Sequence, residues 1–122
     1  MEKQIITKND IRVAILHSDE PLITTPQSAL DLIASTLYND DCNCILLHKE
    51  SLAGEFFVLS SGFAGDVLQK FVNFSAKLAI VGDFSIYTSK PLKDFMYESN
   101  NGNTVFFVET EQDGINKLTK SL

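Results

Sequence analysis

Residues 63–83, with the sequence FAGDVLQKFVNFSAKLAIVGD, join a helical pattern directly to a strand pattern. Phe63, Val67 and Phe71 recur at the spacing of one helix face, which predicts a helix over about residues 61–74. The run KLAIVGD that follows is short, apolar and closed by Gly-Asp, as is typical of a strand buried on both faces. A helix that leads into such a strand is the repeating unit of an α/β protein.

The same alternation continues on both sides of this stretch. Before it, KQIITK and IRVAILHS predict a β-hairpin, Thr25 and Pro26 begin a helix as N-cap and first helical residue, and CILLH predicts a buried strand. After it, SKPLKDFMYESNNG predicts a helix, TVFFVE a strand and TEQDGINKLTKSL a last helix. Thr110 and Asp113 open that helix with a near match to the capping box.

These elements follow one another in the order ββαβαβαβα. Strands separated by helices need crossover connections, so the later strands should be parallel, while the leading hairpin adds an antiparallel strand. A chain of 122 residues, 44% of them hydrophobic, is long enough to bury one core. We therefore predict one α/β domain over residues 1–122, with a mixed, mostly parallel sheet of about five strands and about four helices.

The charge and the hydropathy of the chain argue against two classes of partner. The formal net charge is −6, from 16 acidic and 10 basic residues, and no basic cluster offsets it, so nucleic acid is an unfavourable partner. The longest apolar runs, CILL, LAIV and VFFV, are far shorter than the roughly 20 residues of a membrane helix.

The start, MEKQIITKND, lacks the apolar core of a signal peptide. We predict a soluble, cytoplasmic protein without a membrane partner.

The two cysteines, Cys42 and Cys44, are predicted to be reduced and buried. Residues two apart in an extended strand point the same way, with Cα atoms about 6.6 Å apart, at the long end of disulfide reach. Cys44 and His48 would lie about 13 Å apart along a straight strand, too far for both to bind one zinc ion. We therefore predict no metal site and no cofactor, and interpret His17 as an ordinary residue at the end of its strand.

Polar residues cluster where predicted strands end and helices begin, the edge at which parallel α/β sheets place function. His48 follows one strand, Ser60 and Ser61 open a helix, and Asp83 follows the next strand. A small hydrolase would use Ser61 as nucleophile, His48 as base and Asp83 to orient the base. The sequence VLSSGFAG lacks the glycine that a nucleophile elbow has before its serine, so we favour a protein without enzymatic activity.

Ser60 and Ser61 have two further roles open to them. Either hydroxyl can cap the helix by accepting a hydrogen bond from its free N–H groups. A serine at a helix start is also suited to phosphorylation, because the helix N-terminus stabilises the added negative charge. Capping is the default hypothesis, and a phosphorylation switch with Ser61 or Ser60 as acceptor is the alternative.

Four motifs between residues 55 and 102 resemble those of a bacterial family known as domain of unknown function 4180. They are an acidic-Phe-Phe start, a Gly-x-Ala-Gly-acidic turn, Leu-Gln-Lys-Phe, and a strand ending in Val-Gly-Asp-Phe. In this chain they are Glu55-Phe56-Phe57, Gly62-Phe63-Ala64-Gly65-Asp66, Leu68-Gln69-Lys70-Phe71 and Val81-Gly82-Asp83-Phe84. The resemblance covers most of the chain from the first helix to Gly102 and implies no particular chemistry.

The chain is more distantly similar to STAS domains, the anti-sigma-factor-antagonist type. These domains have the order ββαβαβαβα and carry an Asp-Ser-Ser-Gly motif at a helix start, where a partner kinase phosphorylates a serine. Ser60-Ser61-Gly62 matches the Ser-Ser-Gly part of the motif, and Leu59 occupies the position of its Asp. The resemblance implies a STAS-like fold and a phosphate acceptor at Ser61 or Ser60.

We therefore predict a non-enzymatic regulatory module that binds a protein partner, with self-association into a homodimer as a further option. The predicted binding surface consists of residues at one edge of the sheet: His48, Glu55, Phe56, Asp83 and Phe84. Two alternatives stay open: the small hydrolase described above, and a small-ligand sensor in which Lys70, Asp83 and Phe84 line a cleft.

Overall fold

Five strands and four α-helices alternate along residues 1–120, the part of the chain that the computed structural model describes. The elements are β1 (Glu2–Lys8), β2 (Ile11–His17), α1 (Pro26–Asp40), β3 (Cys44–His48), α2 (Phe63–Asn73), β4 (Lys77–Val81), α3 (Lys90–Asn100), β5 (Val105–Val108) and α4 (Glu111–Leu118). The predicted α/β class and the order ββαβαβαβα are confirmed. The end of the predicted last helix, residues 121–122, lies outside the described part.

The strands form one sheet in the order β1-β2-β3-β4-β5, with β1 antiparallel to β2 and the other neighbouring pairs parallel. Asn9 and Asp10 form the hairpin turn, with positive φ angles of 53° and 64°. Two such residues give a turn whose twist matches that of the paired strands. The prediction of a mixed, mostly parallel sheet with a leading hairpin is confirmed.

The helices cover the two faces of the sheet unequally, with α1, α2 and α3 on one face and α4 on the other. Right-handed crossovers that always step to the next strand in the same direction place the connecting helices on one face. α4 follows the last strand, connects to no further strand, and packs on the opposite face. None of the helices in residues 1–120 is long and apolar enough to cross a membrane.

The starts of α1 and α4 follow the sequence prediction. Thr25 Oγ accepts a hydrogen bond from the backbone N–H of Ser28, the Ser28 hydroxyl accepts one from the N–H of Thr25, and Pro26 is the first helical residue. Thr110 Oγ accepts a hydrogen bond from the N–H of Asp113 at 3.1 Å. These side chains satisfy N–H groups that a helix start otherwise leaves without a partner.

The start of α2 differs from the prediction. The helix begins at Phe63 rather than near residue 61, because Leu59–Ser61 form a 3-10 turn. The N-cap is Gly62, which has a left-handed φ of 78° that glycine adopts without strain. Neither serine is therefore the N-cap residue.

The two cysteines are free and buried, as predicted. The prediction that they point the same way is wrong, because Cys42 packs in the core on the α1–α3 face while Cys44 packs under α4. β3 begins only at Cys44, and the preceding Asp41 has a left-handed φ of 50°, so the strand alternation does not extend back to Cys42.

Candidate functional site

The carboxyl ends of the four parallel strands lie along one edge of the sheet, which we call the carboxyl edge. β2 ends there at His17, β3 at His48, β4 at Val81 and β5 at Val108. Helices α2, α3 and α4 begin at this edge, because each helix that follows a parallel strand runs back across the sheet. Ligand sites of open α/β sheets form at such an edge.

Ser60 and Ser61 lie beside each other at the carboxyl edge but differ in their surroundings. The Ser61 hydroxyl donates a hydrogen bond to the carbonyl oxygen of Glu55 at 3.0 Å and accepts one from the N–H of Phe63 at 3.2 Å. Both serines are exposed, but the Ser60 hydroxyl makes no hydrogen bond within residues 1–120. Ser61 thus stabilises its own loop and the first turn of α2, and Ser60 has the freer hydroxyl.

Asp83 closes a local turn after β4. Its Oδ1 accepts hydrogen bonds from the N–H of Ser85 at 3.0 Å and from the Ser85 hydroxyl at 2.6 Å. The hydrogen bond from the Ser85 hydroxyl, followed by that from its N–H, lowers the pKa of Asp83. The Lys49 ammonium donates to the Asp83 carbonyl oxygen at 3.0 Å. These contacts stabilise an ionised, solvent-exposed carboxylate.

The geometry gives the Ser61, His48 and Asp83 set no support as a catalytic triad. His48 contacts Glu111, Ser61 contacts its own loop, and Asp83 contacts Ser85. No hydrogen bond joins any two of the three side chains in the part of the chain that the structure describes. A nucleophile and its base need such a hydrogen bond, directly or through one water.

The predicted binding surface needs one correction. Phe56 is only 1% exposed and packs in the core, so it cannot contact a partner. Its neighbour Phe57 is half-buried and stacks on Tyr87, with ring centroids 4.7 Å apart. Phe84 is also half-buried and packs edge-on against Phe107. The 3-10 turn at Gly54–Phe57 turns Phe56 inward, which local sequence does not reveal.

The residues of the predicted ligand sensor do not converge. Lys70 lies in the last turn of α2, about 10 Å along the helix axis from Phe63. Since α2 runs away from the carboxyl edge, Lys70 lies toward the opposite edge from Asp83 and Phe84. The structure therefore does not support a cleft lined by all three.

Three other polar side chains do converge at the carboxyl edge. Nε2 of His48 lies 2.7 Å from Oε2 of Glu111, and Nε2 of His17 lies 2.8 Å from the same oxygen. The two imidazole rings are 5.2 Å apart between centroids. One imidazole nitrogen from each histidine and a carboxylate oxygen of Glu111 all lie within 4.8 Å of one another, a donor set that a metal ion could use. We call these three residues the His-His-Glu cluster.

Strand register explains why the two histidines meet. The parallel pairing of β2 and β3 sets Val13 beside Cys44 and Ile15 beside Leu46. Two residues further along each strand, the same register sets His17 beside His48. Because side chains alternate along a strand, both histidines point to the α4 face, like Ile15 and Leu46. Glu111 is the first residue of α4, which begins above them.

The two histidines of the cluster change the pKa of Glu111. The hydrogen bond from His48, and then that from His17, lowers the pKa of Glu111, while partial burial opposes this effect. The ionised carboxylate is thus the favoured form. The interpretation of His17 as an ordinary strand-end residue missed this contact, because neither the register of β2 on β3 nor the position of α4 can be read from local sequence.

An open cleft adjoins the His-His-Glu cluster. Its volume is about 460 Å³, and its lining includes His17, His48, Ser18, Asp19, Glu50 and Ser51. The cluster is partly accessible, with 34% to 45% of each of its side chains exposed. A small ion or molecule could therefore reach it from solvent.

Comparison with known proteins gives limited information on function. No curated protein matches this sequence. Among solved structures, the chain is similar to the phosphorylated form of the Bacillus cell fate determinant SpoIIAA, with 11% identity and a TM-score of 0.40. That similarity covers 96% of this chain and 99% of the other. At this identity and TM-score, the similarity gives no information on the function of this chain.

A match to a protein-family model shows which family the chain belongs to. The model for the domain of unknown function DUF4180 matches residues 8–118, which include every strand of the parallel part of the sheet and all four helices. Because the match spans far more than half of the chain, the protein belongs to the DUF4180 family.

Proposed function

We propose that this domain is a non-enzymatic regulatory module, that it binds a basic protein partner through the surface around Ser60, and that phosphorylation of Ser60 strengthens the binding. The contrast between the two serines supports this most. Both serines are exposed, but the Ser61 hydroxyl is hydrogen-bonded to Glu55 and Phe63, whereas the Ser60 hydroxyl makes no hydrogen bond within residues 1–120. A hydroxyl without hydrogen bonds within the protein can turn toward a kinase at no cost, which favours Ser60 over Ser61 as the acceptor.

An apolar groove beside Ser60 supplies a docking site for a side chain of the partner. Val58 is 54% exposed although it is apolar. The groove, of about 480 Å³, is lined by Phe57, Val58, Leu59, Ser60, Ser89 and Pro91. A contiguous apolar patch rimmed by polar residues is typical of interaction sites.

The charge of the chain favours a basic partner. A net charge of −6 attracts positively charged surfaces over long range. A phosphate on Ser60 would add about −1.5 to −2 charges and accept charge-assisted hydrogen bonds from arginine side chains of the partner. Ser89, the N-cap of α3, lines the same groove, so the dipole of that helix would also stabilise the phosphate.

Site-resolved mass spectrometry tests the proposal. The wild type, Ser60→Ala and Ser61→Ala are incubated with ATP and a lysate of the source cells, after circular dichroism has verified their folding. We expect phosphate on residue 60 in the wild type and in Ser61→Ala, and none there in Ser60→Ala, because, of these two serines, only Ser61 has a hydrogen-bonded hydroxyl within residues 1–120. Repeated absence of phosphate at residue 60, or phosphate at Ser61 alone, would remove the switch.

A further inference from the structure

We propose that His17, His48 and Glu111 bind one divalent transition-metal cation of borderline softness, with Zn²⁺ as the best match. This proposal goes beyond partner binding and uses residues distinct from the Ser60 groove. It rests on the convergence of two imidazole nitrogens and one carboxylate oxygen within 4.8 Å at the end of the sheet.

The donor set selects the class of cation. Two histidines and one glutamate provide the three protein ligands found in one common type of zinc site. Magnesium and calcium prefer shells made of oxygen atoms, and imidazole suits zinc, iron, nickel and copper better. Two nitrogen donors therefore disfavour Mg²⁺ and Ca²⁺ at this cluster.

Binding of one ion would require the three ligand atoms to adjust their spacing. Tetrahedral zinc with bonds of about 2.0–2.1 Å keeps its ligand atoms about 3.3 Å apart. In the structure Nε2 of His48 and of His17 lie 2.7 and 2.8 Å from Oε2 of Glu111. The carboxylate would move outward by about half an ångström, and the two imidazole nitrogens, which lie within 4.8 Å of each other, would take up the same spacing. The metal would replace the hydrogen atoms shared between these groups.

Rigid elements hold the three ligands. The histidines end two paired strands, β2 and β3, and Glu111 begins α4. Gly114 seats α4 closely on the sheet, because a Cβ at this position would lie 2.7 Å from Cδ1 of Leu46. Ligands on strands and helix starts keep their geometry better than ligands on loops.

The surroundings favour a cation and leave room for a further ligand. Glu2, Asp19 and Glu50 line the cleft beside the histidines and add negative charge. The cleft volume of about 460 Å³ leaves the remaining coordination positions open to water or to a small exogenous ligand.

Isothermal titration with Zn²⁺ tests the proposal on the full chain. We expect one bound zinc per chain, and at least tenfold weaker binding in His17→Ala, His48→Ala and Glu111→Gln, since loss of a ligand costs at least as much as loss of an outer-shell partner. Glu98→Gln removes one charge from α3 on the opposite face and serves as the matched control, with unchanged affinity. Mg²⁺ should not compete.

NMR of the wild type provides a second test that does not depend on whether the variants fold. His17 and His48 are the two histidines of the chain, so one equivalent of Zn²⁺ should shift both sets of imidazole signals in the wild type. Unshifted signals, or zinc binding of equal strength in folded variants that lack a ligand, would overturn the proposal.

Discussion

At the scale of single residues, Cys44 illustrates how burial changes the chemistry of a side chain. Cys44 is 3% exposed and packs beneath α4. Burial, and then the proximity of Cys42, raises the pKa of Cys44 to about 11, and Lys77 opposes this only weakly. The thiol is therefore neutral and unreactive at physiological pH.

The raised pKa predicts a loss of stability at alkaline pH. Above about pH 9 the unfolded chain releases the Cys44 proton while the folded chain retains it, so the unfolded state binds fewer protons and stability falls as pH rises. Between about pH 9 and pH 11, the free energy of unfolding should fall on the order of 2 kcal/mol more in the wild type than in Cys44→Ala. Urea titrations of both proteins at several pH values measure this. Identical pH profiles would show that the thiol is not protected by burial.

At the scale of elements, the seating of α4 decides where Glu111 lies. Gly114 is buried in α4, and a Cβ there would approach Leu46, Ala79 and Val108 at 2.7, 3.2 and 3.3 Å. Gly65 lies in α2, where an added Cβ would have no neighbour within 4 Å. The two glycines form a matched pair, because both lie in helices and only one is packed against the sheet.

Alanine should therefore have opposite effects at the two positions. Gly114→Ala should lower the free energy of unfolding by about 1–3 kcal/mol through overpacking. Gly65→Ala should raise it by about 0.5–1 kcal/mol, because alanine loses less conformational freedom in a helix. Urea unfolding of both variants gives these values. A Gly114→Ala protein as stable as the wild type would contradict the close seating of α4.

Local sequence predicted most elements of this fold, because helix stripes, apolar strand runs and caps such as Thr25 are local signals. It failed at the start of α2, where a 3-10 turn and Gly62 take the place of a serine cap. It also failed for Phe56, because the same kind of turn decides which of two adjacent phenylalanines enters the core.

At the scale of the whole molecule, function depends on what the carboxyl edge brings together. The topology made it predictable that His48, Ser60 and Asp83 would lie near this edge. The contact between His17 and His48 was not predictable, because it depends on the register between two strands. The position of Glu111 was not predictable either, because α4 is distant in sequence from both strands and packs on the face opposite to the other three helices. Ser60 and the His-His-Glu cluster are thus two distinct features of one edge.

The central claim, that distant residues converge at the carboxyl edge, is tested most directly by a nuclear Overhauser experiment on the histidine rings. The rings of His17 and His48 are 5.2 Å apart between centroids, and the chain has no other histidine. We predict a cross-peak between ring protons of the two histidines, which disappears in His17→Ala. If both rings are assigned and give no cross-peak in the wild type, the account of this edge is contradicted.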